Sequence, residues 1–339
     1  MSDSVKKAIN EICAGRNLSA DLTRQIMQEI FKGEVNDILK AGWLTAMHTK
    51  GETAEELAAC IQVMREGAVK VSCSDSKAID IVGTGGDGHH TFNISTSSAF
   101  VAAGAGVSVA KHGNRAFSSK SGSADVLSHL GINTQITPEK MAQCLDDIGM
   151  TFLFAPLLHP AVKHTIEVRK TLGVRTLFNL LGPMCNPAGV RRGLIGVYSE
   201  QYCRVLAESA KVLGVDHMLF VYGCDGMDEI SICAPTKVFE VMGQEIKEYQ
   251  ICPEDFGLKT ASLSDIQGGE PQYNADALRV MLKGEKSAYR DAVLLNAGAG
   301  IYSAGKAQSI SQGIELAIES IDSGSALAIL DKLSAATQA

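Results

Sequence analysis

A glycine-rich segment, directly after a short apolar run, carries the residue types best suited to bind an anion. Residues 80–88 read Asp-Ile-Val-Gly-Thr-Gly-Gly-Asp-Gly, with four glycines in six positions. Because the side chains there are small, the backbone N–H groups are accessible and can surround a phosphate. Polar residues 91–96 lead into a predicted helix N-terminus, whose dipole also favours an anion. The sequence therefore predicts a phosphate-binding loop at residues 83–88, here called the glycine loop.

This loop does not match the two commonest nucleotide motifs. It lacks the Lys and Ser/Thr ending of a Walker A motif, and its glycines do not follow the GxGxxG spacing with a ribose-binding acid about 20 residues later. Asp87, together with the hydroxyl and amide groups of residues 91–96, instead suits a diphosphate bound with a metal ion.

A second polar segment follows the next predicted strand. Residues 111–115 supply two cations, an imidazole and an amide, and four serines follow between Ser118 and Ser123. If Lys111 and Arg115 face the glycine loop across neighbouring strand ends, one site contacts two phosphate-rich groups. A solvated basic loop is the alternative interpretation.

Together these segments resemble the anthranilate phosphoribosyltransferase family, which has the nucleoside phosphorylase-like (class III) phosphoribosyltransferase fold. Other motifs further along the chain match the same family in order and spacing. The matching segments are 80–88, 93–96, 111–119, 121–127, 159–161, 168–183 and 228–229. Since they extend over nearly the whole chain, the resemblance is far more specific than any single motif.

The resemblance implies an α/β fold with two parts. Residues 1–72 would form a small N-terminal all-helical domain, joined by part of 169–190. Residues 73–339 would form a larger α/β domain that binds phosphoribosyl pyrophosphate, with a mixed, mostly parallel central sheet and surrounding helices. The resemblance also implies a homodimer made through the helical domain.

The activity implied by the resemblance is transfer of the 5-phosphoribosyl group from phosphoribosyl pyrophosphate to the amine of anthranilate. The products are N-(5-phosphoribosyl)anthranilate and pyrophosphate, in tryptophan biosynthesis. Mg²⁺ is the implied cofactor, with two ions per subunit. We expect the stand-alone form of the enzyme, with no glutamine-amidotransferase segment before residue 1.

Carried over position by position, the resemblance implies which residues meet the substrates and the metal. The positions implied to bind substrate are Gly83, Thr84, Gly86, Asp87, Thr91, Asn93, Ile94, Ser95, Thr96, Lys111, His112, Gly113, Asn114, Arg115, Ala116, Phe117, Ser118, Ser119, Ser123 and Arg169. The implied metal ligands are Ser95, Asp228 and Glu229, and the implied catalytic residues are Lys111, Asn114 and Arg169. Gly83, Asn114 and Arg169 fall on anthranilate positions, where Arg169 supplies a cation for the carboxylate.

His112 lies in the same segment and has two possible roles. It could act as a general base, or it could serve in positioning or packing. The amine of anthranilate is neutral at pH 7 and attacks directly, so the implied chemistry does not obviously require a base. We therefore favour positioning or packing.

Hydrophobic periodicity predicts the elements that must position these residues. Apolar residues recur at spacings of three and four from residue 1 to about 70, which indicates helices, and Thr53 with Glu56 predicts a capping box. A parallel α/β alternation follows. The predicted strands lie at 78–82, 107–110, 151–154, 194–198 and 218–222, with antiparallel pieces over 230–251. A Gly/Pro-broken segment, 178–187, would return to the helical part.

Composition limits the partners and the compartment. The chain has 339 residues and a net charge of −7, with both signs mixed throughout, which argues against a nucleic-acid or anionic-membrane partner. No apolar run approaches the roughly 18 residues of a membrane span. Nine scattered cysteines without a CxxC pair suit a reducing compartment, so we expect a cytoplasmic protein.

Two other functions remain open on the sequence. A pyrimidine nucleoside phosphorylase shares the fold and a Lys/Ser-rich phosphate loop. A catalytically silent, nucleic-acid-binding relative should show a basic surface and a degraded metal motif. The net acidity and the intact Asp228-Glu229 pair argue against the silent relative.

Overall fold

The computed structural model describes residues 3–116 and 120–338, and the chain begins with a bundle of four helices. These are α1 Asp3–Cys13, α2 Ala20–Phe31, α3 Asp37–Lys50 and α4 Ala54–Glu66. The predicted capping box is confirmed, because Thr53 and Glu56 each accept a hydrogen bond from the other's backbone N–H at the start of α4. The apolar faces of the bundle enclose the single tryptophan, Trp43, which is fully buried.

A seven-stranded sheet forms the centre of the remaining chain. Its strands are β1 Ile79–Gly83, β2 Val109–Gly113, β3 Met150–Phe154, β4 Arg192–Gly196, β5 His217–Gly223, β6 Thr236–Met242 and β7 Glu245–Ile251. The spatial order is β3-β2-β1-β4-β5-β6-β7. The pairs from β3 to β5 are parallel and the last two are antiparallel, so the expectation of a mixed, mostly parallel sheet is confirmed.

Eleven further α-helices lie in the described part of the chain. They are α5 Ile94–Gly104, α6 Ser123–His129, α7 Pro138–Ile148, α8 Ala155–Leu158, α9 Lys163–Leu172, α10 Phe178–Leu181, α11 Glu200–Val212, α12 Pro271–Leu282, α13 Ala288–Ser303, α14 Ile310–Asp322 and α15 Ser325–Gln338. No helix of the described residues is both long and apolar enough to cross a membrane.

Alternate residues of the strands enter two different cores. Leu194 and Leu219 pack with α5, α13, α14 and α15 on one face of the sheet. Their neighbours Ile195 and Phe220 pack on the other face with α11 and the N-terminal bundle. This period of two explains why the strands read as continuous apolar runs, because both faces of the sheet are covered.

The segment around α9 and α10 packs on the N-terminal bundle. Phe178 and Leu181 share a core with α1–α4. Polar contacts reinforce this packing, because Lys40 Nζ donates to the His164 carbonyl at 2.7 Å and Arg65 Nε donates to the Met184 carbonyl at 2.7 Å. The chain therefore returns to the bundle between β3 and β4.

The order of the strands creates a switch point between β1 and β4. The chain leaves β1 towards β2 on one side, whereas β4 pairs with β1 on the other, with Gly83 opposite Gly196 at their carboxyl ends. Open α/β sheets bind ligands in the crevice outside such a pair of strand ends. The predicted phosphate loop follows β1 and lies at this point.

The second strand ends later than its sequence indicates. Residues 107–110 were predicted, whereas β2 continues to Gly113 and so contains Lys111 and His112. Polar residues are tolerated there because their groups have partners inside the fold: Lys111 Nζ donates to the Ile81 carbonyl at 2.7 Å, and His112 N donates to Asp80 Oδ1 at 3.2 Å.

Candidate active site

The glycine loop is held against the end of β4. Thr84 N donates to the Gly196 carbonyl at 2.9 Å, and Tyr198 N donates to Thr84 Oγ1 at 3.1 Å. A Cβ at Gly83 would lie 2.3 Å from Asp228 Oδ2. The absence of a side chain at Gly83 therefore lets an acidic segment, 145 positions later in the chain, approach the loop.

Two adjacent carboxylates are buried beside this loop. Asp228 and Glu229 are 8% and 9% exposed. Asp228 Oδ2 accepts a hydrogen bond from Gly85 N at 2.6 Å, and Glu229 Oε1 accepts one from Ser95 N at 3.1 Å. The structure thus brings the predicted metal residues together with the glycine loop and the N-terminus of α5.

The electrostatics of this pair fit a cation. Burial raises the pKa of both carboxyl groups, and the nearby Asp87 raises each further. Among the described residues, neither carboxylate has an ion-pair partner within 4.0 Å. The charge of Lys111 opposes the rise in the pKa of Glu229, but the acidic groups outnumber this cation, so a bound metal ion would stabilise the arrangement.

The donor set is small. Across residues 3–116 and 120–338, no group of three or more His, Cys, Asp and Glu side chains is arranged to hold a metal ion. Mg²⁺ is commonly held by only one or two carboxylates, with water and substrate phosphates as the other ligands. The Asp228–Glu229 pair could hold one such ion, and the Ser95 hydroxyl could bind another, when a phosphorylated substrate is bound.

Lys111 is a buried cation under the same site. It is 1% exposed, and its Nζ lies 2.7 Å from the Ile81 carbonyl and 3.5 Å from Ser95 Oγ. Burial lowers its pKa, while the charges of Asp80 and Glu229 oppose that shift. The interpretation as a solvated basic loop is therefore wrong for Lys111.

Arg115 points elsewhere. Its guanidinium carbon lies 5.9 Å from the centre of the Phe154 ring, at the end of β3, and the residue is exposed. Because β3 and β1 lie on opposite sides of β2, Arg115 is directed away from the glycine loop. Lys111 contacts β1 and Ser95 at the start of α5, whereas Arg115 lies near Phe154, so the expectation that both cations face the glycine loop is wrong for Arg115.

Asp80 and Asn186 form a buried polar layer between β1 and β2. Asp80 Oδ2 accepts a hydrogen bond from Asn186 Nδ2 at 2.8 Å, and the same amide group donates to the Ala110 carbonyl at 2.7 Å. Burial raises the pKa of Asp80 to about 6, against the opposing effect of the Lys111 charge. Sequence reasoning missed Asn186, since its partner is 106 positions away and no local pattern marks it.

His112 is buried as a neutral imidazole. Burial, followed by the neighbouring His159, lowers its pKa to about 3. Its Nδ1 lies 3.2 Å from the Gly182 carbonyl, so a neutral ring donates from Nδ1 and leaves Nε2 as an acceptor, which has no hydrogen-bond partner among the described residues. A group with so low a pKa is a poor base at pH 7, which favours the positioning role.

The predicted substrate-binding side chains at the N-terminus of α5 are mostly buried or hydrogen-bonded within the protein. Ile94 packs in the core, and the side chain of Thr96 is fully buried. Asn93 Nδ2 donates to the Ser121 carbonyl at 3.3 Å, and its Oδ1 accepts from Asn274 Nδ2 at 2.9 Å. Thr91 forms an isolated antiparallel bridge with Gln267.

The loop that follows β2 approaches the start of α6. Asn114 is exposed, and its carbonyl accepts from Ala124 N at 3.2 Å, which places the neighbouring Ser123 beside it. Ala116 N donates to Asp125 Oδ2 at 3.0 Å. The predicted residues Phe117, Ser118 and Ser119 lie outside the described residues.

Two arginines of the 168–183 segment differ in position. Arg169 is half-buried on α9, 5.3 Å from the centre of the Phe178 ring, and burial lowers its pKa. Arg175 donates to the Gly86 carbonyl and stacks 4.1 Å from the centre of the Tyr198 ring. Arg175 thus braces the glycine loop, a role that the sequence motif did not indicate.

Comparisons with known proteins identify the family. The chain matches a glycosyl transferase family, helical bundle domain, over residues 6–68, and a glycosyl transferase family, a/b domain, over residues 75–327. It is 46% identical over 330 residues to the anthranilate phosphoribosyltransferase of Mesorhizobium japonicum, covering 97% of this chain and 98% of that protein. The chain belongs to the anthranilate phosphoribosyltransferase family.

Solved structures of this family have the same fold. The crystal structure of anthranilate phosphoribosyltransferase from Thermus thermophilus matches with a TM-score of 0.94 and 43% identity, over 99% of this chain and 100% of that one. The Saccharomyces cerevisiae enzyme in complex with PRPP and Mg matches with a TM-score of 0.91 and 29% identity, over 100% of this chain and 99% of that one. The fold expected from the sequence is therefore confirmed.

Gly196→Ala is expected to disrupt the site. A Cβ at Gly196 would lie 1.5 Å from the Asp228 carbonyl, so the 228–229 segment must move. Overpacking of this kind lowers the free energy of unfolding by about 1–3 kcal/mol. Thermal denaturation and Mg²⁺-dependent binding of phosphoribosyl pyrophosphate measure the two effects.

Gly67→Ala is the matched control. Gly67 has a φ of −84° and its added Cβ would meet only the Val63 carbonyl at 3.5 Å, an ordinary contact. This variant should keep wild-type stability and binding. Wild-type binding by Gly196→Ala would contradict the assignment of the 228–229 segment to the site.

Proposed function

We propose that this protein transfers the 5-phosphoribosyl group of phosphoribosyl pyrophosphate to the amine of anthranilate. The products are N-(5-phosphoribosyl)anthranilate and pyrophosphate, in tryptophan biosynthesis. The observation that carries the proposal is the buried Asp228–Glu229 pair, which hydrogen-bonds to both the glycine loop and the N-terminus of α5 at the switch point of the sheet. A diphosphate with its metal ion is the ligand class that this arrangement suits.

The first set of proposed contacts concerns phosphoribosyl pyrophosphate. The glycine loop and the start of α5 would bind the diphosphate and ribose through backbone N–H groups and the side chains of Asp87, Thr91 and Asn93. Lys111 would place a positive charge close to the diphosphate. The loop after β2 would bind the phosphate of the phosphoribosyl group through Ser123 and its neighbours. The burial of Lys111 supports this, because a charge away from bulk water acts more strongly on a bound anion.

Mg²⁺ is the proposed cofactor, with two ions per subunit. Ser95 would be a ligand of one ion, and Asp228 with Glu229 would hold the second. When bound, Mg²⁺ neutralises the charge of the diphosphate and of the leaving pyrophosphate. The S. cerevisiae relative contains both PRPP and Mg, which supports the same pairing here.

The chemistry is a substitution at the anomeric carbon. The lone pair of the anthranilate nitrogen forms the new bond to C1, the C1–O bond to pyrophosphate breaks, and its electrons leave with the pyrophosphate. The transition state has oxocarbenium character, as in other glycosyl transfers. The nitrogen then loses a proton to solvent, so the neutral, low-pKa His112 need not act as a base.

Anthranilate binding is assigned to Gly83, Asn114 and Arg169. Arg169 would bind the carboxylate, and Asn114 would orient the amine behind the anomeric carbon. Partial burial of Arg169 supports this role, because a half-desolvated guanidinium gains more from a carboxylate than an exposed one. Substrate orientation and electrostatic stabilisation would then supply most of the catalysis.

We also propose the domain division and the compartment. Residues 1–72 with part of 169–190 form the helical domain, and residues 73–339 form the α/β domain. The shared core of the bundle with Phe178 and Leu181 supports this division. The cysteines of the described residues are all free thiols, which supports a reducing, cytoplasmic compartment.

Purified protein with Mg²⁺, phosphoribosyl pyrophosphate and anthranilate should consume anthranilate, measured as loss of its fluorescence. Chelation of Mg²⁺ should abolish that loss, because the buried carboxylate pair then lacks its cation. Thymidine and uridine with inorganic phosphate serve as the comparison substrates. Phosphorolysis of either nucleoside without consumption of anthranilate would instead establish a nucleoside phosphorylase, and inactivity with both would favour the silent relative.

Arg169→Ala should raise the KM for anthranilate by about ten-fold or more, the loss associated with one charge-assisted hydrogen bond. The KM for phosphoribosyl pyrophosphate should stay within about two-fold, because the proposed contacts of Arg169 are with the acceptor alone. Lys170→Ala, at the exposed neighbouring cation of α9, is the control and should change neither value. Equal increases in both KM values for Arg169→Ala would remove Arg169 from the anthranilate site.

The homodimer is proposed to form through the helical domain. Ile38 on α3 is 84% exposed, and Ile166, on the contacting helix α9, is 52% exposed, so apolar surface is available there. Ile38→Glu should convert a dimer to a monomer in sedimentation velocity, whereas Val212→Glu, at a 56% exposed apolar position of α11, should remain dimeric. A wild-type protein that sediments as a monomer would contradict this proposal.

A further inference from the structure

Asn274 is a buried polar residue that lies outside every motif of the sequence. It is 2% exposed on α12, and both ends of its side-chain amide are hydrogen-bonded. Its Nδ2 donates to Asn93 Oδ1 at 2.9 Å, and its Oδ1 accepts from Gly269 N at 2.7 Å. A residue 181 positions away thus contacts a predicted ligand of phosphoribosyl pyrophosphate.

These partners determine the orientation of both amides. The backbone N–H of Gly269 can only donate, so the oxygen of Asn274 must face it and the nitrogen must face Asn93. Asn93 then meets that nitrogen with its own oxygen. Its nitrogen consequently points the other way and donates one hydrogen to the Ser121 carbonyl at 3.3 Å. The second hydrogen of this nitrogen has no protein partner among the described contacts.

The segment before α12 is fixed to the segment before α5. Phe92 N donates to the Ile266 carbonyl at 3.0 Å, and Gly268 N donates to the His90 carbonyl at 2.9 Å. A Cβ at Gly268 would lie 2.6 Å from the Thr91 carbonyl, so the two backbones approach as closely as glycine allows. Asn274 is therefore held in one place relative to Asn93.

We propose that Asn274 is a positioning residue that holds the Asn93 amide with its N–H group available to bound phosphoribosyl pyrophosphate. These hydrogen bonds form one continuous network that connects α12, the start of α5 and the serine-containing loop at Ser121. This inference rests on the proposed function, in which Asn93 meets that substrate. It assigns Asn93 the role of hydrogen-bond donor to the ribose or diphosphate oxygens.

The test is Asn274→Asp, which keeps the size of the side chain but replaces the donor with a second acceptor. The introduced carboxylate can still accept from Gly269 N, but its other oxygen faces the oxygen of Asn93 and forces that amide to turn or shift. The dissociation constant for phosphoribosyl pyrophosphate with Mg²⁺, measured by calorimetry without anthranilate, should rise about ten-fold, the effect of one buried hydrogen bond. The KM for anthranilate at saturating phosphoribosyl pyrophosphate should change by less than about two-fold.

The effect should depend on pH in a way that a purely structural role would not produce. Burial raises the pKa of the introduced carboxyl group, and its protonated form has an O–H that donates to Asn93 Oδ1 as the native amide does. The ratio of dissociation constants between Asn274→Asp and the wild type should therefore fall from pH 8 to pH 6. A ratio that stays constant or rises would contradict the donor role.

A control variant and a double-mutant cycle distinguish an effect that acts through Asn93 from a general effect of the added negative charge. Gln272→Glu adds the same charge to the exposed side of α12 and should bind phosphoribosyl pyrophosphate like the wild type. In an Asn93→Ala background, Asn274→Asp should have no further effect on binding, because its action passes through Asn93. Additive effects would overturn the proposal.

A second variant covers a failure of Asn274→Asp to fold, and the activity of the wild type separates the role of Asn274 from the identity of the acceptor. If Asn274→Asp does not fold by circular dichroism, Asn274→Ala, which removes the donor without adding charge, takes its place in the cycle with the same expectation. If the wild type binds phosphoribosyl pyrophosphate without consuming anthranilate, the proposed acceptor is wrong while the role of Asn274 stands. If the wild type binds phosphoribosyl pyrophosphate and Asn274→Asp binds it with the same affinity, only the proposed role of Asn274 is overturned.

Discussion

Two neighbouring carboxylates held away from water are the constraint on which the rest of the site depends. Asp228 and Glu229 repel each other and lose solvation, and the protein compensates only in part, with the charge of Lys111 near Glu229 and the backbone N–H groups of Gly85 and Ser95. That compensation requires the backbones of the glycine loop, β4 and the acidic segment to meet closely, which a side chain at Gly196 would prevent. The glycines at this point therefore serve close approach as well as anion binding.

A second buried charge system lies underneath. Lys111 and Asp80 are both nearly inaccessible to water, and each affects the pKa of the other in the direction that favours its charged form. Removing one member of this system would leave the other charge with less compensation and would destabilise its charged form. The amide of Asn186 and the backbone of His112 complete the hydrogen bonds of Asp80. These fixed groups give the site a preorganised electrostatic field before any substrate binds.

The position of the site follows from the strand order. Because β1 and β4 are neighbours in a parallel sheet, their carboxyl ends place the glycine loop beside the chain that leaves β4. The helix α5 then points its N-terminus at the same place, and α12 supports that N-terminus through Asn274. Loops that follow strands can vary in sequence, whereas the distances between them are set by the sheet, which is why a rigid scaffold suits a reaction that depends on positioning.

The sequence by itself determined the local features: the helical N-terminal part, the capping box of α4, the alternation of strands and helices, and the motifs that indicate the family. Periodicity, capping and loop chemistry act over a few residues, so they can be predicted from a short segment. The sequence did not determine that β2 continues through Lys111, that Arg115 turns towards β3, or that Asn186 and Asn274 support the site. Those features depend on partners that are far away in the chain and on the order of the strands, and only the packing of the whole chain brings such partners together.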